Sequence, residues 1–378
     1  MSLQDLAEIS RFYGSNPDYV IAGGGNTSFK DRDYLYIKAS GASLASARPG
    51  DFVKMNRAAL AKIWGKTYPA DMEAREAAVL ADMMTARAPG EEGKRPSVET
   101  LLHDILPFAF VVHTHPSLVN GLTCARKGEK TARKLFPGSV WVPSINPGYI
   151  LSKAVKDAMD SYRAEKGKAP EAIFLQNHGI FVGAESPGEI KAVYGRIVNA
   201  IEGQVKRKPD LSGKVSSFGN SDSLAGELKR AADRLSGGPA WFVRFERNAE
   251  LSRFTAGKDA FKPVSSAFTP DHIVYAGSDP LFIGGGAAEG GGLLEEALKK
   301  HREKTGRIPK AVAVQGLGLF GLGNSEKAAG NAVELFNDAV KVAVYTESFG
   351  GPLFMPPGQI SFINNWEVER YRSKVSSA

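Results

Sequence analysis

The chain has 378 residues, of which 43% are hydrophobic and 24% charged, and its formal net charge is +7. This length and apolar share predict a soluble protein with one large domain or two medium ones. No dense block of lysine and arginine with interleaved aromatic residues is present, which argues against a nucleic-acid partner, and the positive charge instead suits anionic small substrates or solubility.

Targeting and cross-linking signals are missing from the sequence. The opening MSLQDLAEISRF lacks the apolar run of a signal peptide, and no segment approaches the roughly 18 apolar residues of a membrane span. Cys124 is the single cysteine, so no disulfide can form within the chain, and its apolar surroundings predict a buried side chain. We therefore expect a cytoplasmic protein with no membrane partner.

The first 210 residues predict helices and strands in alternation. "YLYIK" and "FAFVV" are rich in residues that pleated sheets favour, and "AIFLQNHGIFVG" predicts two strands joined across residues 177–179. In chain order we predict a helix at 2–13, a strand, glycine-rich turn and strand within 18–41, helices at 71–88 and 98–106, a strand at 108–112, a helix at 151–166, two strands within 172–183, and a helix at 186–206. The polar segment 206–223 predicts a linker.

An internal repeat follows the linker. Residues 154–183 align with 293–322 at a constant offset of 139, so that Leu317 takes the place of His178. "FAFVVHTHPSL" resembles "DHIVYAGSDPL" after a short gap, which puts Tyr275 and Gly277 where the first copy has histidines. We expect a catalytic domain at 1–210 and a degenerate copy without metal ligands at 223–378, although 223–270 matches 1–95 only weakly.

Two histidines stand one residue apart at the end of the apolar run 108–112. Residues two apart in a strand point to the same face, so His113 and His115 project together and Thr114 projects to the other side. His178, on the turn between two strands, offers a third imidazole, and three protein ligands with one open position are typical of catalytic zinc. An H-x-H pair alone is nearly as often structural, but the repeat has lost these histidines, which indicates that the fold does not need them.

Glu99 and two glycine- and serine-containing segments offer further polar groups. Ser97 is a candidate helix N-cap, which would place Glu99 in the first turn, either as a functional carboxylate or as a complement to the helix dipole. His103, one turn later, would pack, hold Glu99 or reach the metal. "GGGNTS" at 23–28 and "KASG" at 38–41 suit phosphate or carboxylate binding by backbone groups.

Five short motifs, in order, give the chain a family resemblance over roughly residues 5–205. The motifs are G-N-x-S at 25–28, S-G at 40–41, P-S-x-E at 96–99, H-x-H at 113–115 and N-H-G at 177–179. Together they resemble the class II aldolase/adducin family. The whole chain, including its tail "ISFINNWEVERYRSKV" at 360–375, is similar to the aldolase part of bifunctional rhamnulose-phosphate aldolase/alcohol dehydrogenase proteins, without the dehydrogenase part.

The resemblance implies an α/β fold, with a central mixed or antiparallel sheet flanked by helices. It implies a zinc-dependent enzyme, or one using another divalent metal, that acts on a sugar or sugar phosphate and forms a homo-oligomer. The implied roles are metal ligand for His113, His115 and His178, acid/base for Glu99, and phosphate binding for Asn26, Ser40, Gly41 and Ser97. Val98 stands where several of the aldolases have a second hydroxyl residue, which removes one expected donor from the phosphate-binding positions.

Four functions remain open at this stage. The first is a lyase that cleaves or forms a C–C bond in a sugar through an enediolate stabilised by the metal. An epimerase or dehydratase of the same family is the second, and an adducin-like scaffold without catalysis is the third. The fourth is a dehydrogenase, because Gly316-x-Gly318-x-x-Gly321 has the spacing of a dinucleotide fingerprint; against it, only 57 residues follow Gly321.

Overall fold

The computed structural model describes residues 2–238, 240–286 and 292–366. The chain divides into two compact units. The first unit holds the residues up to Thr123 together with Gly128–Gln204, and the second holds Cys124–Lys127 and the residues from Val205 onward. Residues 367–375 of the tail that contributes to the resemblance lie outside the described residues. Of the helices described, none combines the length and apolar character needed to cross a membrane.

The first unit is built on a seven-stranded sheet with the order β3-β2-β1-β4-β7-β6-β5. Neighbouring strands are antiparallel, except that β5 runs parallel to β6, so the predicted central mixed sheet is confirmed. The strands are β1 Asn26–Lys30, β2 Tyr34–Lys38, β3 Phe52–Asn56, β4 Phe110–Thr114, β5 Val140–Val142, β6 Ala172–Leu175 and β7 Gly179–Ala184.

Helices cover both faces of this sheet. They are α1 Leu3–Gly14, α2 Arg57–Ile63, α3 Met72–Thr85, α4 Thr100–Ile105, α5 Ser117–Thr123, α6 Gly128–Leu135, α7 Tyr149–Lys166 and α8 Pro187–Glu202. Leu102 of α4 and Val155 of α7 share one buried cluster with Val111 of β4. On the other face, Tyr194 of α8 reaches Thr114 of β4 and contacts the ring of Tyr13 in α1. The strand β4 is therefore buried from both sides.

Local sequence signals explain where the helices beside the site begin and end. The hydroxyl of Ser186 accepts a hydrogen bond from the Glu189 N–H, and the Glu189 carboxylate accepts one from the Ser186 N–H, which starts α8 with a capping box. Gly167 adopts the left-handed conformation, with φ 70°, and ends α7. The helix predicted at 151–166 begins two residues earlier, at Tyr149.

The second unit contains a smaller, four-stranded sheet with the order β8-β11-β10-β9. Its strands are β8 Phe242–Glu246, β9 Leu281–Ile283, β10 Ala311–Val314 and β11 Gly318–Gly323. Its helices are α9 Ser221–Ser236, α10 Ala249–Phe254, α11 Lys258–Phe261, α12 Leu293–Thr305, α13 Glu326–Thr346 and α14 Pro357–Asn365.

The sequence offset of 139 residues is also found in the structure, where each sheet contains an equivalent hairpin. The strands β6 and β7 correspond residue for residue to β10 and β11, and β9 runs parallel to β10 as β5 does to β6. Equivalent backbone bonds join Asn177 N to Thr123 O and Gly316 N to Thr255 O. These matches support the proposal that the second unit is a degenerate copy. Its sheet corresponds to β4, β7, β6 and β5, and among the described residues β1 to β3 have no counterpart in it.

The alignment of residues 271–281 with β4 is wrong. Residues His272–Ala276 form a π-helix, and β8 instead pairs with β11 as β4 pairs with β7. Phe245 lies opposite Phe320 as His113 lies opposite Phe181. Phe245 and Arg247 therefore hold the positions of His113 and His115, rather than Tyr275 and Gly277. The error arose because a short apolar run does not distinguish a buried helix from a strand.

The dehydrogenase interpretation of Gly316–Gly321 is also contradicted. A dinucleotide fingerprint places its glycines in the turn from a strand to a helix. Here Gly316 lies in the turn between two antiparallel strands, with φ 73°, and Gly318 begins β11. Gly321 lies within β11 against α13, where an added Cβ would come within 2.4 Å of Ala329 O. The glycines serve strand geometry and helix packing.

The predicted linker at 206–223 packs onto the second unit. Arg207 binds both carboxylate oxygens of the buried Glu250 at 2.6 Å, and Val215 pairs with Arg247 through backbone bonds of 2.9 and 3.0 Å. The Phe218 ring lies 4.2 Å from the Arg247 guanidinium carbon. The segment is therefore ordered and is not a free linker. Its polar composition suggested a linker because the contacts that hold it are made by charged side chains and main-chain groups.

Arg247 fills the corner of the second unit that corresponds to the histidines of the first. Its guanidinium donates to the carbonyl oxygens of Gly316 and Leu317, both at 2.7 Å. A fixed cation and the apolar Leu317 side chain thus stand where imidazoles would be needed. This arrangement gives a physical reason why the second unit would hold no catalytic metal.

Removal of residues beyond 210 is expected to abolish soluble expression or activity. Backbone bonds tie Cys124 O to Leu353 N at 2.8 Å and Lys127 N to Phe349 O at 2.9 Å. The truncation would leave these groups unpaired and uncover Cys124, which is fully buried. Soluble yield, light scattering and circular dichroism measure the effect. A soluble, monomeric and fully active 1–210 fragment would contradict this prediction.

Candidate metal centre

Strand β4 delivers His113 to the α4 face of the sheet. The imidazole is fully buried and stacks on Phe181 of β7, with ring centroids 4.0 Å apart and an interplanar angle of 12°. Thr114 points to the other face, where its hydroxyl lies 2.8 Å from the Tyr194 hydroxyl. The predicted separation of residues 113 and 114 onto opposite faces is thus observed.

A hydrogen bond fixes the tautomer of His113. Nδ1 lies 2.9 Å from the Ile180 carbonyl oxygen, which can only accept, so Nδ1 carries the proton. The Nε2 atom, which lies 2.9 Å from Nε2 of His115, can then offer its lone pair to a metal whenever it carries no proton. Two imidazole nitrogens therefore converge on one point at the end of β4.

The turn between β6 and β7 brings the third imidazole to the same point. Asn177 has φ 58°, and at Gly179 an added Cβ would lie 2.5 Å from Thr114 O and 2.6 Å from Cδ2 of His115. Glycine is therefore required for this close approach. One nitrogen from each of His113, His115 and His178 lies within 4.8 Å of the other two.

This donor set fits a zinc ion. Zn–N bonds of 2.0–2.1 Å in a tetrahedron place nitrogens about 3.3 Å apart, and the Nε2 atoms of His113 and His115 are 2.9 Å apart. Within residues 2–238, 240–286 and 292–366, it is the one group of three or more histidine, cysteine or acidic side chains with such spacing. The sequence prediction that these three histidines meet agrees with the geometry, and their metal-ligand role remains a proposal.

Glu99 faces the three imidazoles. Its Oε1 lies 3.2 Å from His113 Nε2 and 3.7 Å from His178 Nε2, and its Oε2 accepts a hydrogen bond of 2.7 Å from the Asn26 side-chain amide. Burial alone would raise the pKa of the Glu99 carboxyl, but positive charge on protonated His113 and His178 rings, together with hydrogen bonds from His113 and Asn26, outweighs burial and holds the pKa well below its usual value. The side chain is therefore an ionised, oriented carboxylate.

The helix that carries Glu99 begins later than predicted. α4 runs from Thr100 to Ile105, so Glu99 is its N-cap residue rather than part of the first turn. The Ser97 hydroxyl still accepts a hydrogen bond from the Glu99 N–H, at 3.2 Å. With six residues, α4 supplies little dipole, so its N-terminus adds little to anion binding.

Asn26 positions Glu99, a role that sequence reasoning missed. It begins β1 directly opposite His113 in the sheet. Its amide nitrogen donates to Glu99 at 2.7 Å and to the Ser97 hydroxyl at 2.6 Å, which uses both of its hydrogens. Its Oδ1 is buried and has no partner within the described residues. The register that joins residues 26 and 113 has no signature in a single sequence.

His103 lies apart from the three convergent imidazoles. Its Nδ1 is 2.8 Å from the Ser28 hydroxyl, and its ring packs against Phe181 with centroids 5.3 Å apart. Burial holds the pKa of His103 well below its usual value, so the ring is neutral. Of the roles considered for His103, packing agrees with these contacts.

The segment with Ser40 and Gly41 lies beside the one with Ser97. An isolated antiparallel bridge joins Ala39 to Pro96, and Ser40 N donates to Arg95 O at 2.8 Å. Gly41 has φ 88°, which favours glycine. Lys38 in the same segment was overlooked in the sequence: it is 4% exposed, and its ammonium donates to Ala42 O at 2.8 Å.

The sequence matches a known family over most of the first unit. The family model described as "Class II Aldolase and Adducin N-terminal domain" matches residues 4–205. An uncharacterized oxidoreductase of Bacillus subtilis (strain 168), YuxG, is 21% identical over 414 residues, covering 98% of this chain and 58% of the relative. The chain thus spans little more than half the length of that protein.

Two solved structures give partial superpositions. The N-terminal class II aldolase domain of a conserved protein from Thermoplasma acidophilum is 28% identical, covers 54% of this chain and 93% of its own, and has a TM-score of 0.46. L-fuculose-1-phosphate aldolase from Thermus thermophilus is 16% identical, covers 53% and 89% respectively, and has a TM-score of 0.34.

Proposed function

The chain belongs to the class II aldolase and adducin family, and on that premise we propose that it is a zinc-dependent lyase. The proposed reaction cleaves or forms a C–C bond in a sugar, with a ketose phosphate as the substrate class. Zinc, or another divalent ion in its place, would be held by His113, His115 and His178.

One observation carries the proposal: three imidazole nitrogens and one ionised carboxylate converge at the edge of a buried strand. A scaffold protein has no need of this constellation. The corresponding corner of the second unit contains Phe245, Arg247 and Leu317 and retains the same hairpin. The histidines are therefore dispensable for the fold, which favours catalysis over a structural role.

The chain's own residues supply the proton chemistry. A bound zinc ion would act as a Lewis acid toward the substrate carbonyl and its neighbouring hydroxyl. Glu99 is ionised and held by Asn26 on one oxygen, so its other oxygen is oriented to take a proton from the carbon next to the carbonyl, or to return it during cleavage. Phe181 and the other buried residues around His113 exclude water from one side of the site.

Ser40, Gly41 and Ser97 are proposed to hold the phosphate end of the substrate, with Asn26 at its border. Both amide hydrogens of Asn26 are engaged with Glu99 and Ser97, so its contribution would be indirect. The buried Lys38 ammonium adds a positive charge to the same segment. Its attraction for a phosphate would compensate for the hydrogen bond that a hydroxyl residue at position 98 would donate.

Replacement of Ser40 by alanine is expected to lower kcat/KM roughly tenfold for a phosphorylated ketose and to leave the free ketose within about twofold, because one hydrogen bond to a charged group is lost. Steady-state kinetics at matched ionic strength measure both values. Ser43→Ala, at an exposed position in the same segment, is the control. Equal efficiency of the unmodified protein on phosphorylated and free sugars would refute phosphate binding here.

The identity of the reaction is tested by a product assay. Zinc-loaded protein is incubated with ketose 1-phosphates, free ketoses and pentulose 5-phosphates, and the products are separated. An aldehyde and a three-carbon ketone together indicate cleavage, whereas a sugar of unchanged length indicates epimerisation. Conversion of none of these compounds by a fully metallated protein would count against a sugar lyase.

We propose that residues 223–378 form a degenerate, non-catalytic copy, and that the protein acts as a homo-oligomer, most simply a dimer. Arg247 occupies the place that corresponds to the histidines of the first unit, which supports the proposal that the second unit is non-catalytic. Sedimentation equilibrium tests the proposed homo-oligomer, and a monomer with full activity would overturn it.

A further inference from the structure

The second unit contains a cavity, of about 400 Å³, that is remote in the fold from its degenerate histidine corner. It lies between the loop that precedes β9, the end of α12 and the end of α14. Its polar lining includes Ser278, Asp279, His301, Arg307, Lys310 and Asn364. A smaller cavity of about 190 Å³ shares Val274 and Lys310 with it. The volume of the larger cavity, about 400 Å³, is in the range of small-ligand sites.

Two cationic side chains, Lys310 and Arg307, line this cavity. The Lys310 ammonium donates to Val274 O at the end of the π-helix, and the Arg307 guanidinium donates to Oδ1 of Asn365 at 3.0 Å. Neither forms an ion pair with a carboxylate in the parts of the chain that the structure describes. Burial and the nearby charge of Arg307 lower the pKa of Lys310 to about 8, as expected for two cations that lack an anion.

The rest of the polar lining consists of neutral and acceptor groups. The Asp279 carboxylate accepts the Ser278 hydroxyl at 2.6 Å, and the Asn364 amide donates to the same hydroxyl at 3.1 Å. Burial lowers the pKa of His301, against the opposing charge of Asp279, so its ring is neutral at neutral pH. These groups can exchange hydrogen bonds with hydroxyls.

We propose that this cavity binds a small phosphomonoester, with the phosphate between Lys310 and Arg307 and a hydroxyl-bearing body toward Asp279 and His301. Two cations match the two charges of a phosphate dianion, and charge-assisted hydrogen bonds are the strong ones. Capping of the π-helix by lysine would explain the Val274 contact but not a neighbouring Arg307 that has no carboxylate partner among the described residues. The site lies wholly within the second unit and does not depend on the proposed lyase activity.

Residue-resolved labelling tests this site in the full-length protein. Acetic anhydride modifies neutral amines, and a pKa of about 8 makes a larger fraction of Lys310 neutral at pH 7.5 than of an ordinary lysine. Mass spectrometry reports its modified fraction. Added inorganic phosphate should protect Lys310 in a saturable manner, because a bound dianion stabilises the ammonium. Potassium chloride at equal ionic strength should not protect it. The exposed Lys299, on the same unit, should react equally in all conditions.

Two variants complete the test. Arg307→Met should raise the phosphate concentration for half-protection of Lys310 at least about tenfold. In equilibrium dialysis with radiolabelled phosphate, Lys310→Met should lose one bound phosphate per chain, whereas Lys299→Met should lose none. Circular dichroism confirms folding of each variant. Protection by chloride as strong as by phosphate, or phosphate binding unchanged in Lys310→Met, would overturn the proposal.

Discussion

Replacement of His113 by alanine is expected to reduce bound zinc from one ion per chain to near zero and to abolish activity. Its Nε2 is one of three nitrogens that converge on a single point, and its Nδ1 is committed to Ile180. Loss of one of three protein ligands leaves too few donors for a tight tetrahedral site. Elemental analysis of protein purified without added zinc measures the effect.

Because His113 is fully buried, the same experiment is made with His115→Ala. His115 is partly exposed, so its loss should remove the metal at less cost to stability. His301→Ala, in the second unit, controls for the number of histidines and should retain one zinc per chain. A fully metallated His113→Ala or His115→Ala protein would contradict the ligand assignment.

Glu99→Gln is expected to keep zinc and the fold but to lower the turnover rate by roughly 10²–10⁴-fold, the usual contribution of general acid–base catalysis. Glutamine preserves the shape of the side chain and can still meet the Asn26 amide through its carbonyl oxygen. It cannot take a proton from carbon. Steady-state kinetics and metal analysis of the same preparation separate the loss of proton transfer from loss of metal.

Glu92→Gln provides the matched control, since Glu92 is exposed in the loop before Pro96. It should turn over at the unmodified rate. A near-normal rate for Glu99→Gln would return Glu99 to a structural role at the start of α4.

The sequence was sufficient for the convergence of the histidines because that convergence follows from local rules. Alternation along a strand places His113 and His115 on one face, and a tight turn ending in Gly179 allows close approach to Thr114. The contact between Asn26 and Glu99 could not be predicted from the sequence. It depends on the pairing of β1 with β4, between segments more than 80 residues apart, and strand order is not encoded in local pattern.

In the second unit, the sequence predicts strand positions correctly only where it keeps the register of the first unit. The hairpin at 311–323 was aligned without gaps and is correct residue for residue. The strand before it was misplaced, because β8 has exchanged histidine for Phe245 and Arg247 and no longer resembles β4. A buried π-helix at 272–276 offered a more similar apolar run. The equivalence of two divergent strands is seen from the strands they pair with, and a single sequence does not show this pairing.

Proton exchange at carbon tests the central claim most directly, because it requires no knowledge of the aldehyde substrate. Zinc-loaded protein is incubated in D₂O with dihydroxyacetone phosphate or dihydroxyacetone, and NMR follows the hydroxymethyl protons. We expect stereospecific exchange of one proton, which is lost on metal removal and strongly slowed in Glu99→Gln. No exchange of either compound by a protein with one zinc per chain would contradict a lyase that works through an enediolate.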